Sequence, residues 1–451
     1  MKKAEIIEQV RESPHSKVKV AVTDIDGILR GKLMHRDKFL SAIESEFGFC
    51  DVVFGWDMAD ELYDNSKVTG WHTGYGDASA RIDLDTFRQV PWEGDIAFFL
   101  ADFSSAKKDD FPVCPRSLLK KIIKKTEASG FFPMFSQEFE WFNFVDKPKN
   151  PDSQFSQPEP LTSGMFGYSI LRASENSNYF NDLFDLLEEF RVPLEGLHTE
   201  TGPGVYEAAI QYSSVLEAAD RGTLFKTAVK EIAKQHGIVA SFMAKPFQNL
   251  PGCSGHIHQS LWDQKKEKNL FFDASNKKNM SDTMESYIAG QLHCLPHILP
   301  MLAPTVNSYK RLVKGAWAPT TLTWGIDNRT TALRAITTGE KSTRLETRVV
   351  GSDVNPFLAM SACLASGLYG IKNKLALNTS MTIGNGYEET KHGELPTSLD
   401  EATRKMITSP LAIELFGEAF VDHFGKTRDW EWRQFSRTVT DWEMKRYFEI
   451  I

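Results

Sequence analysis

Alternation of apolar and polar residues predicts strands at several places along the chain. Residues 17–27, "KVKVAVTDIDG", alternate in this way and end in an Asp-Gly turn, and residues 95–103, "DIAFFLADF", form a second such run. Two further runs, 237–247 and 342–350, also have strand-like patterns. Strands are therefore expected in both halves of the sequence.

Helical periodicity is clearest in "PRSLLKKIIKKTEASG" (115–130), which begins at Pro115, places its Leu and Ile residues on one face and stops at Gly130. The runs 178–190 and 223–237 have the same spacing of three and four residues. Helices and strands are mixed along the chain, and the pattern predicts an α+β or mixed α/β fold.

Polar segments separate these elements. A connector at 104–115 indicates a domain boundary near 105–112, and a loop rich in Gly, Trp and Asp covers 55–77. The Pro-containing segment 143–160 is expected to form another loop, and no internal repeat is found.

The stretch "SQEFEWFNF" (136–144) combines strand-forming aromatic residues with two glutamates. Because side chains alternate between the faces of a strand, Glu138 and Glu140 share one face, while Phe139 and Trp141 share the other. Most acidic pairs of this kind simply face solvent. A buried pair would need a cation between the carboxylates, because an unpaired buried carboxylate is costly.

Similar polar sets recur on other segments. They occur in "GHIHQS", in "STRLETRVV" and in "HTETGPGVYE", the last around a Gly-Pro-Gly turn. Spacing of two residues on a strand directs side chains to one face, so each strand-borne set would project together. The residues are His256 and His258; Arg344, Glu346 and Arg348; and Glu200 and Glu207.

Five carboxylates, a histidine and several arginines in one cavity would have a specific chemical use. Mg²⁺ and Mn²⁺ bind carboxylate oxygens, Mn²⁺ also accepts imidazole, and both ions are commonly seated beside substrate phosphates. Arginine binds phosphate or carboxylate oxygens through its planar fork. These residues predict a metal-dependent phosphoryl-transfer site. The chain has no G-x-x-x-x-G-K-[ST] phosphate loop and no kinase signature, so a nucleotide would be held by another scaffold.

Composition narrows the class of protein. The chain has 451 residues, 41% of them hydrophobic and 25% charged, as in ordinary globular proteins. A net charge of −8 without long basic runs argues against nucleic acid as a partner. With no membrane-length apolar stretch and no signal-peptide core, we expect a cytoplasmic protein that does not bind membranes. The five scattered cysteines predict reduced thiols, not disulfides or a zinc site.

The motifs together resemble the glutamine synthetase family along nearly the whole chain. They are "TDIDG", "GHIHQS", "PTVNSYKRLV" (304–313), "DNRTTALR" (327–334), the R-x-E-x-R set and "NPFLAMSACLASG" (355–367), and they follow the family's order. The resemblance implies an α+β fold with a small N-terminal β-grasp-like domain (1–106) and a large catalytic domain (107–451). That catalytic domain would contain a curved antiparallel sheet flanked by helices. The family joins glutamate to ammonia with ATP through a γ-glutamyl phosphate.

The resemblance also implies ligands for two divalent cations, Mg²⁺ or Mn²⁺. The matching residues are Glu140, Glu200 and Glu207 for the first metal, near glutamate, and Glu138, His256 and Glu346 for the second, near the ATP phosphates. The strand at 136–144 would thus give one ligand to each metal. For a lone histidine such as His256, a hydrogen-bonded core residue is the competing interpretation, which the H-I-H setting disfavours.

Further residues match contacts to the substrates. Those that match the nucleotide site are Glu195, His258, Ser260, Arg334 and Lys341, with Arg344 as a phosphate contact. Those that match the glutamate and transferred-phosphate sites are Gly252, Arg311, Arg329 and Arg348. Arg329 and Arg348 are catalytic candidates. Surface ion pairing is the alternative for each arginine, and the long motifs around Arg311 and Arg329 disfavour it most.

The chain departs from the family pattern where the amine would bind. Trp317, a further catalytic candidate, lies in "K-G-A-W-A-P" at the position of a flap glutamate that the family associates with ammonium. Val205 stands where Gln is usual, and Pro251 replaces an Asn. The family's cross-subunit aspartate has no clear match, and Asp57 is one candidate. A Trp in this flap resembles members that use organic amines.

Three functional hypotheses follow. The leading one is an ATP-dependent ligase that joins an organic amine to the γ-carboxylate of glutamate. The second is an ordinary glutamine synthetase that uses ammonia, and the third is a non-catalytic structural relative, which the complete set of metal-ligand candidates argues against. The partners of the enzyme would be glutamate, ATP and an amine, in a homo-oligomeric ring of ten or twelve subunits, as the resemblance implies.

Overall fold

The structure, a computed structural model, describes residues 2–104, 111–146 and 158–451. The domain boundary predicted near 105–112 lies largely outside the described residues, and so does most of the loop predicted at 143–160.

The N-terminal part forms a mixed sheet against which two helices pack. Its strands are β1 (Lys17–Thr23), β2 (Leu29–His35), β3 (Phe47–Cys50), β4 (Asp77–Val90) and β5 (Ile96–Ser104), and its helices are α1 (Lys3–Glu12) and α2 (Arg36–Ala42). The strand order is β2-β1-β5-β4-β3, with β1 and β5 parallel and the other pairs antiparallel. This arrangement agrees with the small β-grasp-like domain expected from the sequence.

The predicted strand at 17–27 is shorter than expected. It stops at Thr23 because the next residues form a tight turn, in which Asp24 Oδ1 accepts the backbone N–H groups of Asp26 and Ile28 at 3.0 and 2.9 Å. The strand predicted at 95–103 is confirmed as β5.

A larger, curved sheet follows. Its strands are β6 (Phe132–Val145), β7 (Leu194–Thr199), β8 (Val205–Ile210), β9 (Ser213–Ser214), β10 (Ile238–Ser241), β11 (Ile257–Trp262), β12 (Trp324–Ile326), β13 (Leu333–Ile336) and β14 (Arg344–Thr347). The order is β12-β13-β14-β11-β6-β8-β7, and β9 and β10 also pair with β6. The pairs are antiparallel except β12 with β13. The long strand β6 is therefore the centre of the sheet.

Helices flank this sheet, as the predicted fold class requires. They are α3 (Pro115–Ala128), α4 (Ile170–Glu175), α5 (Ser177–Glu189), α6 (Val215–Gln235), α7 (Asp282–Ile298), α8 (Ser308–Arg311), α9 (Pro356–Lys372), α10 (Leu399–Ile407), α11 (Pro410–Phe416), α12 (Glu418–Arg437) and α13 (Asp441–Tyr447). Short 3₁₀ turns cover Asp51–Phe54, Pro91–Glu93, Leu299–Met301 and Gly386–Glu388.

The helix predictions were more accurate than those of the later strands. The helices predicted at 115–130 and 178–190 are confirmed as α3 and α5, and the third is confirmed as α6. The α6 helix begins earlier than predicted, at Val215, because Ala218 and Ala219 continue its buried face. The strand predicted at 237–247 was wrong beyond its first residues, because the chain leaves β6 after Ser241.

The two faces of β6 have different surroundings. Phe139 and Trp141 are fully buried under α6 and the segment after β10. Phe139 stacks on Phe225 of α6 with ring centroids 5.7 Å apart, and Trp141 stacks on Phe242 at 5.9 Å. The opposite face is left for Glu138 and its neighbours, so burial of the aromatic side fixes the direction of the acids.

Candidate active site

The acidic face of the large sheet borders two adjoining cavities, of about 600 Å³ and about 390 Å³. Three residues line both cavities, which makes the site continuous. Of the sequence candidates, the larger cavity is lined by Glu138, Glu140, Glu200, Glu207, Gly252, His256, His258, Arg311, Trp317, Arg329, Arg334, Arg344 and Arg348. The smaller is lined by Glu138, Glu195, His258, Ser260, Lys341 and Arg344.

One row of side chains crosses β6, β8 and β7. Glu140 is paired with Glu207 across β6 and β8, and Glu207 is paired with His198 across β8 and β7. Directly paired residues in antiparallel strands project to the same face. Glu200 follows the end of β7, and its carboxylate and that of Glu207 each lie 3.6 Å from His198 Nε2. The strand register therefore gathers three acids and a histidine.

A second row crosses β11, β14 and β13. His258 is paired with Glu346, and Glu346 is paired with Arg334. Glu346 is completely buried; Arg334 Nη1 donates to its Oε2 at 2.9 Å, and Arg348 pairs with its other oxygen. Glu346 thus lies beneath the cavity floor, held between arginines and a histidine.

Glu138 and His256 connect the two rows. The backbone N–H of Glu138 donates to the carbonyl oxygen of His256 at 3.0 Å. His256 Nδ1 lies 2.9 Å from Glu138 Oε1 and 3.2 Å from Glu346 Oε1, and His258 Nε2 lies 3.2 Å from Glu138 Oε2. Both histidines of the H-I-H pair therefore reach the same carboxylate.

The donor set fits divalent cations. In two places, three ligand atoms lie within 4.8 Å of one another: Glu138, His258 and Glu346 form one group, and His198, Glu200 and Glu207 form the other. His256 Nε2, His198 Nε2 and Glu200 Oε2 are buried and have no hydrogen-bond partner among the described residues. Buried polar atoms without partners, concentrated among carboxylates, are what a hard cation with oxygen and imidazole ligands would satisfy.

The pKa values of the acids also indicate where a bound cation would be favourable. Burial, together with three neighbouring glutamates, raises the pKa of Glu207 to about 10. Glu138 behaves differently: burial raises its pKa, but the adjacent His258 and His256 outweigh this effect and hold it well below its usual value. A divalent cation near Glu207 would relieve the repulsion and keep that carboxylate ionised.

Two arginines of the larger cavity are held by contacts with the backbone beneath them. Arg311 is only 3% exposed, and its Nη2 donates to the carbonyl oxygen of Arg348 at 3.2 Å. Arg348 Nε donates to the carbonyl oxygen of Arg329 at 3.1 Å. Gly252 packs directly on Arg311, because an added Cβ would lie 2.8 Å from Arg311 Cγ and 2.6 Å from the carbonyl oxygen of Ala244. Only glycine fits at this position without displacing the arginine.

The smaller cavity combines apolar walls with a polar entrance. Met134, Phe135 and Trp262 line it, and Trp262 Nε1 donates to Ser260 Oγ at 2.9 Å. At the boundary with the larger cavity, Arg344 Nε donates to His258 Nδ1 at 3.2 Å. A planar ring fits such walls, and a cation at the boundary suits an attached phosphate.

Trp317 and Tyr168 lie at the mouth of the larger cavity. They are 62% and 70% exposed, and their φ angles of 57° and 56° fall in the left-handed region that bulky residues seldom adopt. The Tyr168 ring stacks on that of His198 with centroids 4.5 Å apart. The mouth therefore offers two aromatic surfaces beside the acidic row.

Sequence reasoning missed His198 and Tyr168. His198 precedes Glu200 by two residues, so the alternation that identified the other pairs could have found it. Tyr168 lies outside any strand and has no periodic signal. The candidate Asp57 lines neither cavity in the described part of its own chain; its Oδ2 accepts the Trp430 Nε1 hydrogen at 2.9 Å.

The geometry is typical of enzymes that activate phosphate groups with divalent cations. Residues 112–447 match the catalytic domain of glutamine synthetase. The chain belongs to the glutamine synthetase family, whose members use ATP and divalent metal ions to join an amine or ammonia to glutamate. It is accordingly an ATP-dependent ligase.

Two curated relatives and one solved structure illustrate the relationship. Type-1 glutamine synthetase 2 of Dictyostelium discoideum is 56% identical over 450 residues, covering 99% of this chain and 86% of that protein. Glutamate–isopropylamine ligase of a Pseudomonas species is 35% identical over 96% of this chain and 95% of its own length. A GmaS/ADP complex in its first conformation superposes with a TM-score of 0.85 at 26% identity, covering 98% and 99% of the two chains.

The sequence also predicted that the protein does not bind membranes and is cytoplasmic. Among the described helices, none has the length and apolarity needed to cross a bilayer. The cytoplasmic location stays a prediction from the sequence.

Proposed function

We propose that this protein joins an organic amine to the γ-carboxylate of glutamate, using ATP and a γ-glutamyl phosphate. The observation that carries the proposal is Trp317, whose indole stands at the cavity mouth, 62% exposed, where an ammonia-using relative would place a carboxylate. The similarity to a relative named for isopropylamine supports the same interpretation.

The metal roles are assigned to two groups of side chains in and between the two rows. Glu140, Glu200 and Glu207 would hold one Mg²⁺ or Mn²⁺, with His198 beside them. Glu138, His256 and Glu346 would hold the second, with His258 in reach of the same carboxylate. Such ions neutralise charge on the transferred phosphate.

The arginines and the smaller cavity position the substrates. Arg311 and Arg348 are assigned to the glutamate carboxylates, and Arg329 to the phosphate in transfer, because all three line the larger cavity. In this proposal the γ-carboxylate oxygen attacks phosphorus, ADP leaves, and the amine then displaces phosphate from the acyl phosphate. The mouth must exclude water during this interval, since the acyl phosphate would otherwise hydrolyse.

The nucleotide residues are assigned by position around the smaller cavity and its boundary. Glu195, Ser260 and Lys341 line that cavity, and His258 and Arg344 stand where it meets the larger one. Arg334 lies farther along, paired with Asp327 through Nε at 2.9 Å and with Glu346. ATP would therefore enter with its base in the smaller cavity and its phosphates towards the metals.

A second candidate is ordinary glutamine synthetase activity with ammonia. It is favoured by the 56% identity to a relative of that name. The acidic row beside the mouth, Glu200 and Glu207, could still attract ammonium. A non-catalytic role is disfavoured, because all six metal-ligand candidates of the sequence meet in one site.

The assembly is proposed to be a homo-oligomeric ring of ten or twelve subunits, with a domain boundary near residue 106. Exposed apolar residues at the C-terminal end support association: Phe448, Ile450 and Ile451 are 78%, 84% and 92% exposed. Light scattering of the active protein should give the mass of a closed ring, and a fully active monomer would refute this part.

One experiment separates the two activities. Phosphate release from ATP is measured with glutamate and Mg²⁺ or Mn²⁺, adding ammonium or one of a panel of alkylamines, aralkylamines and polyamines at matched free-base concentration. The proposal expects at least one organic amine to give a higher kcat/KM than ammonium. Ammonium giving the highest value throughout would restore ordinary glutamine synthetase.

A further inference from the structure

A third cavity, of about 300 Å³, lies away from the active site at the joint between the N-terminal sheet and α6. One wall comes from β1 and β2, and the facing wall from α6. The lining positions on α6 are Leu224, Thr227, Ala228 and Glu231, whose spacing of three and four residues places them on one face. The cavity therefore contacts both halves of the molecule.

Small residues create this space. In the β1–β2 register Ala21 is paired with Gly31, so the two smallest side chains of these strands meet at the cavity floor. A Cβ on Gly31 would lie 2.6 Å from the carbonyl oxygen of Val20, so glycine is required there. Leu33, which lines the cavity, is 54% exposed. A ligand of modest size could therefore enter from solvent.

Three aromatic rings surround the interior. Trp92 and Phe190 meet edge to face with centroids 4.9 Å apart, and Phe98 meets Phe190 at 6.0 Å in the same manner. All three line the cavity. The faces of aromatic rings attract cations, and clusters of such rings are a common means of binding organic ammonium groups.

The acidic side chain of the cavity is Glu231. Glu231 Oε2 accepts the Trp92 Nε1 hydrogen at 2.8 Å, and no cationic side chain of the described residues lies within ion-pairing distance of Glu231. A carboxylate fixed beside aromatic rings and lacking a protein cation suits a positively charged ligand.

The lysines of the cavity are already engaged. Lys19 pairs with Glu93 Oε1 at 2.5 Å. Lys32 Nζ donates to the carbonyl oxygen of Gly48 at 3.3 Å and lies 4.8 Å from the centroid of the Phe49 ring. Lys19 is thus neutralised by an ion pair, and Lys32 is directed towards Gly48 and the Phe49 ring, so Glu231 is the charged group that remains beside Trp92.

We infer that this cavity binds a small organic ammonium ion with an apolar body. Its cationic group would contact Glu231 and the ring of Trp92, and its hydrocarbon part would lie against Phe98 and Phe190. Leu224 lines the cavity, and the next residue, Phe225, stacks on Phe139 between the two acids of β6. The ligand would thus press on the helix that supports the metal-binding strand, as a modulator of activity would.

The test uses benzyltrimethylammonium, which has no N–H and cannot be ligated to glutamate, so its binding is independent of the proposed reaction. Isothermal titration of the full-length protein should show saturable binding. Glu231→Gln keeps an oxygen for Trp92 but removes the charge, and should weaken binding about fivefold or more. Ala228→Leu fills the cavity and should abolish binding. The exposed Glu188→Gln, at the end of α5, is the matched control and should bind as the parent does.

Trp317→Ala distinguishes this cavity from the aromatic mouth of the active site, and binding should survive that change. Circular dichroism verifies that each variant is folded. Absence of binding to the parent would overturn the inference, and so would binding that Glu231→Gln and Ala228→Leu both leave unchanged, whether or not Trp317→Ala removes it.

Discussion

Replacement of Trp317 by glutamate should move the substrate preference from an organic amine towards ammonium. The indole is 62% exposed and lines the larger cavity, so an alkyl group in the cavity can cover part of it. Half-burying the three carbons of isopropylamine contributes about 1.2 kcal/mol at ~0.8 kcal/mol per fully buried carbon. Cation–π attraction at an exposed site adds about 0.5–1 kcal/mol, and together these correspond to roughly 30-fold in kcat/KM.

The introduced carboxylate favours ammonium, so its effect adds to the loss of the indole. An exposed ion pair with ammonium contributes about 0.5–1 kcal/mol, or roughly threefold. The ratio of kcat/KM for isopropylamine to that for ammonium should therefore fall about 10²-fold in Trp317→Glu, measured as phosphate release at matched free-base concentration. Trp317→Phe keeps an aromatic face and should retain most of the preference. An unchanged ratio in Trp317→Glu would refute the assignment of this residue to the amine.

Three further predictions concern the metals, the glutamate site and stability. Glu138→Ala or His256→Ala should lower ATP turnover about 10²-fold or more and raise the metal concentration needed for half-maximal rate; near-parental turnover at limiting metal would contradict the ligand assignment. Gly252→Ala should raise the KM for glutamate about tenfold while leaving nucleotide binding unchanged, because its Cβ would meet Arg311 Cγ at 2.8 Å; an unchanged KM would show that Arg311 does not bind glutamate. Burial and the nearby Lys230 lower the pKa of Lys226 to about 7 from 10.5, so the unfolded chain binds more protons between these values and stability should rise with pH across that window. Lys226→Met should flatten the dependence of stability on pH and raise Tm by a few degrees near pH 7. The exposed Lys121→Met is the control and should keep the parental dependence. Thermal unfolding at pH 6.5 and 9 measures both variants, and a parental pH dependence in Lys226→Met would contradict the prediction.

The sequence predicted which residues face the site, because the period of a strand is two and needs no knowledge of its neighbours. Glu138 with Glu140, and His256 with His258, could therefore be assigned to common faces from their spacing alone. The cross-strand order Glu140–Glu207–His198 could not be predicted, because register is set by pairing between segments distant along the chain.

The difference between local periodicity and long-range pairing also explains which elements of the fold were predicted correctly. The amphipathic helices α3 and α5 were found from local periodicity, whereas the strand at 237–247 was overextended because its end depends on where β6 stops offering a partner. The cavity beside α6 could not be predicted from the sequence for a similar reason. It depends on Ala21 being paired with Gly31, which no single segment reveals.

The division of the site between strands and loops explains how one family can serve several amines. The acids that fit the metals are held by β6, β8 and β14 or by a turn that adjoins the sheet, where a change in one residue would disturb cross-strand partners and the aromatic packing beneath. Trp317 and Tyr168 belong to irregular segments at the mouth, exposed to solvent and outside the sheet register. Substitution there can alter the surface that meets the amine while leaving the phosphoryl-transfer geometry in place. In the proposed function the metal and phosphate contacts lie on the sheet and the amine contacts lie at the mouth, and Trp317 is the position at which that separation can be measured.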